Sequence, residues 1–529
     1  MGDGKGIAVR AARARRRDNH IERRSLAGKA SDDARLLGAG DALPIIHKRI
    51  SIMVTKRFRV NPCLSIALCA IAFAALSFGR PAQAQVQSSL GNEAGSQCQT
   101  VSVDDEGNAI GNCATGPNGG APVAWFSATG SGAQTPMAPL VAGEPCSVVG
   151  ATYLTDLQVT QNMTKAVGNC SDANGVSNAV YWNISSGVPG GPTVLKPRQG
   201  ILGILLEDVA SKAMYTNGTF AAGESISATG DITPVAWKPE GHADLPYTMT
   251  YDSTNCVPAG ITPVVYEGDG SSFDPDLGYV PTMVLNCPRV NGTNGAELVF
   301  LNPGSGLLSG IEYSEYDVAL NPPVSGGACV VNAIGYSRTE EVALSVPNFT
   351  GVGAAGSCTA PGGLPVAVTW PQGNDPDIGL AGYSFTATPV TRDASIGQVA
   401  SNAVAISPDG GEALITYTTA GLPSAAAWTP NLDTFQAIAP PSGSLGAVPV
   451  GLSNNGTVAL NIQTATQNTE AALWTPAGGV VPLGFLGGGS NSLLTTIAPN
   501  DSDIPGTTYS GGSAENSSGQ SIATIVIGP

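Results

Sequence analysis

Through most of this chain, apolar residues come in runs of four to eight, alternate with small or polar ones, and are separated by clusters of Gly, Pro, Asn, Asp and Ser. That is the pattern of short β-strands joined by turns, and a period of two sets one group of side chains on a single face, where it can pack against another sheet. The stretch around Trp428 shows the unit. Val404 and Ile406 mark a first strand, Ser407-Pro408-Asp409-Gly410-Gly411 a turn, Ala413 and Ile415 a second strand, Ala426 and Trp428 a third, and Phe435 to Ile438 a fourth. Only residues 203–213 carry a modest helix-like pattern, and Ile204, Leu205, Leu206 and Val209 would serve equally well in a buried strand.

The third strands end on aromatics: Trp125, Trp182, Trp237, Phe300, Trp370, Trp428 and Trp474, spaced by 57, 55, 63, 70, 58 and 46 residues. A cysteine precedes four of them by twelve or thirteen residues: Cys113, Cys170, Cys287 and Cys358. Fixed offsets in distant units mean one module was copied, and copied four-stranded modules of this length build a propeller. The expectation is a single all-β propeller of seven blades, whose aromatics are packing anchors between sheets. Beyond Leu486 the chain frays into Gly487 to Gly489, a strand-like Leu493 to Ile497 and a hairpin around Glu515 to Ile527. That tail reads either as an incomplete eighth blade or as the piece that closes the ring on the first module.

Upstream, Met53 begins a different kind of segment. Lys56, Arg57 and Arg59 precede an apolar core from Cys63 to Phe78, then Ala82-Gln83-Ala84. A basic start, a short apolar stretch and an Ala-x-Ala end make residues 53–84 a secretory signal peptide with cleavage after Ala84. A membrane anchor would need about 20 apolar residues, and this core is shorter. Residues 1–52, with their Arg13 to Arg17 run, read as a start-site artefact or a disordered basic segment. Residues 85–529 are then the mature domain, placed in the periplasm or outside the cell of a Gram-negative bacterium.

Export changes the charge. Of 24 Lys and Arg, 16 lie in residues 1–84 with 6 of the 40 Asp and Glu, so the mature chain has 8 basic and 34 acidic residues, a net of 8 − 34 = −26. Such a chain repels nucleic acid and anionic membrane surfaces. It keeps eight cysteines, and the module phase pairs Cys98 with Cys113, Cys146 with Cys170, Cys256 with Cys287 and Cys329 with Cys358, each within one blade. Zinc is the weaker use, because there is no Cys-x-x-Cys and His242 is the only mature histidine.

Candidate chemistry is sparse. His242 lies in a polar turn without a nucleophile motif near it, which argues against a triad. Asp274 with Asp276, and Asp375 with Asp377, each sit in an Asp-Pro-Asp-x-Gly loop. They offer oxygen ligands for calcium or, with Glu340, an acid and base pair, although tight turns recruit the same residues. No cofactor motif is present, and no catalytic residue is assigned.

The segment Ala471 to Ser492, with Ala-Ala-Leu-Trp, then Gly-Gly, Leu-Gly and a Gly-Gly turn, resembles a unit of the bacterial extracellular HAF-repeat proteins. Ser453-Asn454-Asn455-Gly456 and Asn516-Ser517-Ser518-Gly519 echo that family's Asn-x-x-Gly hairpin, while Glu470-Ala471-Ala472 replaces its His-Ala-Phe. The resemblance covers the last two or three modules and implies an exported propeller-like protein of mostly unassigned role, and it brings no catalytic residue with it. The function expected is thus non-enzymatic binding of a protein or glycan partner; the alternative is a hydrolase or lyase with carboxylates at the central channel.

Overall fold

The computed structural model describes residues 86–91, 96–114, 120–126, 134–153, 163–185, 187–198, 208–217, 220–238, 247–250, 255–265, 279–288, 294–303, 313–336, 352–370, 384–390, 399–432, 434–499 and 508–528. The chain divides into two compact units, Met1–Phe78 and Gly79–Pro529, and every described residue belongs to the second. The expected signal peptide, residues 53–84, and the segment before it lie outside the described residues.

Eight antiparallel sheets, not seven, make the fold. Their first strands are Gln97–Val103, Cys146–Tyr153, Ala210–Asn217, Val257–Val265, Ala328–Tyr336, Ser401–Ile406, Gly446–Leu452 and Gly488–Ile497, and we number the blades 1 to 8 in that order. Each first strand touches the first strands on both sides, and blade 8 meets blade 1, so these strands form the inner wall of a closed ring. The eighth blade takes three strands from the chain end, Gly488–Ile497, Thr508–Asn516 and Ser521–Gly528. Its fourth is the first described strand, Val86–Ser89, paired from Val86↔Ile527 to Ser89↔Thr524. Both ends of the ring are thereby held by one sheet. Blade 8 escapes an aromatic count because Val526, fully buried, stands at the register that tryptophan holds elsewhere. One segment also spans two blades: Ser384–Thr386 runs parallel to Tyr313–Asn321 of blade 4, and Thr388–Pro389 then becomes the outer strand of blade 5.

All eight first strands carry a one-residue β-bulge at the same register: Val101, Val149, Met214, Ala259, Asn332, Val404, Val450 and Thr495. The extra residue packs toward the next blade. Val101 joins the cluster of Val148 and Ala151, Val149 that of Ala213, Ala259 that of Val331, Val404 that of Leu452, and Val450 that of Leu494. Where the extra residue is polar it bonds there instead, Asn332 to the Ala403 carbonyl and Thr495 to the Thr100 carbonyl.

Each first strand lies against the second strand of the preceding blade. In four joints an asparagine on that second strand pairs with the residue just before the bulge as a backbone amide would. Asn112 donates to the Val148 carbonyl at 2.9 Å and accepts from its N–H at 2.8 Å. Asn169 does the same with Ala213, Asn286 with Val331 and Asn461 with Leu494. Two joints abandon the device, because blades 4 and 7 present Pro258 and Pro449, which have no N–H to offer. The residues facing them are Glu224 and Thr416.

The tryptophans sit on the other side of each blade. Trp125 packs with Leu90 and Ile525 of blade 8, Trp182 with Ile110 of blade 1, Trp237 with Val167 of blade 2, Trp370 with Leu298 of blade 4, Trp428 with Ala367 of blade 5 and Trp474 with Leu414 of blade 6. Four indole N–H groups donate to the carbonyl at the outer edge of the preceding blade: Gly91, Ala138, Lys196 and Asn321. The Phe300 backbone pairs with Thr282, and its side chain lies outside the described residues.

The four disulfides form as neighbour pairs, each joining the first two strands of one blade with Cα atoms 4.0 to 4.2 Å apart. They close loops of 15, 24, 31 and 29 residues, and each stabilises by about 3 kcal/mol in the loop-entropy account. Four blades lack a disulfide. In three of these a serine holds the first cysteine's register: Ser211, Ser401 and Ser492 accept from the Ala179, Ala367 and Ala471 N–H groups of the preceding blade.

Two outcomes test this frame. Leu90→Ala, at a side chain 3 % exposed beside Trp125, is expected to cost about 2–4 kcal/mol in urea unfolding, by cavity formation at the seam. Asn112→Ala is expected to cost about 1–3 kcal/mol because it strands both groups of Val148, whereas Thr416→Ala, facing proline, should stay below about 1 kcal/mol.

Candidate functional site

The joint decides what faces the ring's centre. Residues two before the bulge pair and at the pair itself, such as Cys98 and Thr100, are buried between blades, while the residue between them is left outward. Around the ring this level holds Gln99, Ser147 and Lys212 in blades 1 to 3. In blades 4, 5 and 7 it holds Val257, Val330 and Val448, which are 37, 36 and 50 % exposed although they lie on innermost strands. Asn402 and Leu493 complete it. Lys212 is the one charged residue in all eight innermost strands, and none of these strands contains Asp, Glu or His.

One level further, past the bulge, seven blades carry small residues: Ser102, Gly150, Gly260, Ala333, Ala405, Gly451 and Thr496. Blade 3 alone carries a large one, Tyr215, and it is 36 % exposed. Burial, and then the Glu224 carboxylate, push the Tyr215 phenol above its ordinary value. Glu224 is itself only 8 % exposed. It stands where asparagine stands in four other joints, and among the described residues no hydrogen bond reaches its carboxylate.

The polar turns are occupied by structure. Asp104, fully buried, accepts from the N–H groups of Glu106, Asn108 and Met163 and from the Asn108 side chain, tying blade 1 to blade 2. In blade 6 the Ser407 hydroxyl donates to Asp409 and accepts from the Glu412 N–H. The Asp409 N–H donates to Asn454 of blade 7, whose N–H donates to the Pro499 carbonyl beyond blade 8's first strand. Gly335 of blade 5 lets this turn approach, since a Cβ there would sit 2.3 Å from the Ser407 carbonyl. Lys165, 9 % exposed, lies over the Tyr181 ring at 5.7 Å in the joint between blades 2 and 3.

Cys256, Cys287 and Glu297 come within 4.8 Å of one another, the one cluster of metal-type ligands among the described residues. Both sulfurs are spent in a disulfide, so a single carboxylate is left, which is no metal site. Asp274, Asp276, Asp375, Asp377, Glu340 and His242 all lie outside the described residues, as does any calcium loop built on them. What sequence reasoning missed is Lys212, Tyr215 and Glu224. A signal for the joints existed in the repeated Asn-Cys step at 112–113, 169–170 and 286–287, against which Glu224-Ser225 stands out.

No family model matches the chain, and no curated protein matches it. Among solved structures it is similar to a post-proline cleaving enzyme from Rickettsia typhi, at 8 % identity and a TM-score of 0.38, over 77 % of this chain and 56 % of that one. It is also similar to the β-propeller domain of the Trilobed protease from Pyrococcus furiosus, at 7 % identity and a TM-score of 0.37, over 71 % of this chain and 95 % of that one. The Aleuria aurantia lectin matches at 10 % identity and a TM-score of 0.27, over 64 % and 94 %. The chain spans 54 to 59 % of the length of the prolyl peptidases it matches.

The buried turn acids give a pH prediction. Burial raises the carboxyls of Asp104 and Glu412 above 3.8 and 4.5, with the Asp409 charge adding to the second. Both therefore hold protons more readily in the folded chain, so their contribution to stability is full below the ordinary values and is lost as pH rises through the raised ones. Urea unfolding followed upward from about pH 4 is expected to show a declining component of stability that flattens in Asp104→Asn and Glu412→Gln.

Proposed function

We propose that the chain is an exported binding protein that holds a protein or glycan partner at its ring and performs no chemistry on it. The observation that carries this reading is the channel wall. Paired-carboxylate hydrolysis needs an acid and a base facing each other across the substrate, and the eight innermost strands supply neither an Asp, a Glu nor a His. In the described turns, Asp104 and the Asp409 N–H are likewise committed to holding blades together.

Export rests on the Met53 to Ala84 signal and agrees with four disulfides, which persist in oxidising compartments. Among the described residues no helix is long and apolar enough to cross a membrane. The HAF-repeat resemblance points the same way.

The test offers the mature chain, residues 85–529, separately to the protein and polysaccharide fractions of a bacterial secretome. Saturable capture of a partner whose mass is unchanged on release is expected. Shortened glycan or cleaved protein would overturn the binding reading in favour of a hydrolase or lyase.

A further inference from the structure

The innermost strand of blade 3, Ala210–Asn217, is chemically unlike its seven counterparts. In a regular strand Lys212 and Tyr215, three residues apart, would point to opposite faces. The bulge at Met214 removes that alternation: Lys212 pairs with Glu224 and Tyr215 with Ala222, and Glu224 and Ala222 are two apart on one strand. Opposed residues share a face, so Lys212, Tyr215 and Glu224 look the same way. Ala222 clusters with Cys256 and Ile261, which fixes that face as the one toward blade 4.

At this spot blade 4 answers with Pro258. The joint that elsewhere consumes an asparagine side chain cannot form, and among the described residues no hydrogen bond reaches the Glu224 carboxylate, at a residue 8 % exposed. Lys212 lies across the strand pair, yet among the described residues the two form no ion pair.

We propose that Lys212, Tyr215 and Glu224 form a binding site for a neutral sugar residue, entered from the central channel. The proposal rests on the binding reading above and gives it a ligand class. Two adjacent groups of opposite sign disfavour either kind of simple ion, because an anion on Lys212 meets Glu224 and a cation on Glu224 meets Lys212. The mature net charge of −26 adds to the first objection. Neighbouring hydroxyls satisfy both groups at once, one donating to the carboxylate and the next accepting from the ammonium. The Tyr215 ring offers the apolar face on which the C–H side of a pyranose lies.

The experiment uses the mature chain with its disulfides intact and an array of neutral, sialylated and sulfated oligosaccharides, followed by titration calorimetry with the best neutral one. Wild type is expected to bind neutral sugars saturably, and Lys212→Met, Tyr215→Ala and Glu224→Gln each to weaken binding at least tenfold with thermal midpoints close to wild type. Tyr215→Phe keeps the ring and should retain most of the affinity. If Tyr215→Ala fails to fold, the exposed Lys212→Met carries the test. Neutral-sugar binding that survives all three substitutions overturns this site and leaves the binding reading standing. So does a chain that binds only charged glycans, free amino acids or a protein. Sugar cleavage on the array overturns both.

Discussion

The whole ring depends on how one blade is laid against the next. A bulged first strand lies on the second strand of the blade before it, and the residue ahead of the bulge turns its N–H and C=O toward that neighbour rather than into its own hairpin. Those groups must be satisfied there, since burying them unpaired would cost more than a typical hydrogen bond contributes. Asparagine meets both at once in four joints, and a bulge residue, Asn332 or Thr495, supplies a donor in two more. Proline solves the remaining pair by having no N–H to satisfy.

Cohesion within a blade and cohesion between blades are therefore handled by different chemistry at a shared register. Where the first strand has cysteine it is bonded to the second strand of its own blade; where it has serine, the hydroxyl accepts from the third strand of the blade before it. Tryptophan completes six of the interfaces farther out, and in four of them its indole N–H donates to the neighbour's outer carbonyl. The same geometry sorts the innermost strand into buried and channel-facing positions, so a substitution in a single strand can alter the channel without disturbing the packing. Blade 3 has used that freedom, and the loss of its asparagine opposite Pro258 is what frees Glu224.

Much of this was legible in the residue pattern, and for a definite reason. Strand alternation, the turn at Ser407 to Gly411, the tryptophan repeat and the cysteine pairs all concern neighbours within one hairpin or one blade, where sequence distance and spatial distance run together. Blade 6 shows it well: the strands expected around Val404, Ala413, Trp428 and Phe435 are those found, at Ser401–Ile406, Ala413–Thr419, Leu422–Thr429 and Thr434–Ile438. Asn112 and Asn169 stood in plain view beside cysteines, but nothing local says that their partners lie in the following blade.

The blade number was misjudged because both marks of the eighth are non-local or atypical: Val526 replaces the aromatic, and the outer strand, Val86–Ser89, comes from the opposite end of the mature chain. The candidate site was hidden for a related cause, since only the bulge at Met214 sets Tyr215 on the side of Lys212, and only the meeting with Pro258 leaves Glu224 unpaired. From the residue order alone came an all-β repeat of four-stranded units stapled by four disulfides, because hydrophobic period and loop length act over a few residues. Ring size, the closing strand and the chemistry facing the channel were decided by tertiary structure, because each depends on which distant strands are brought to the same edge.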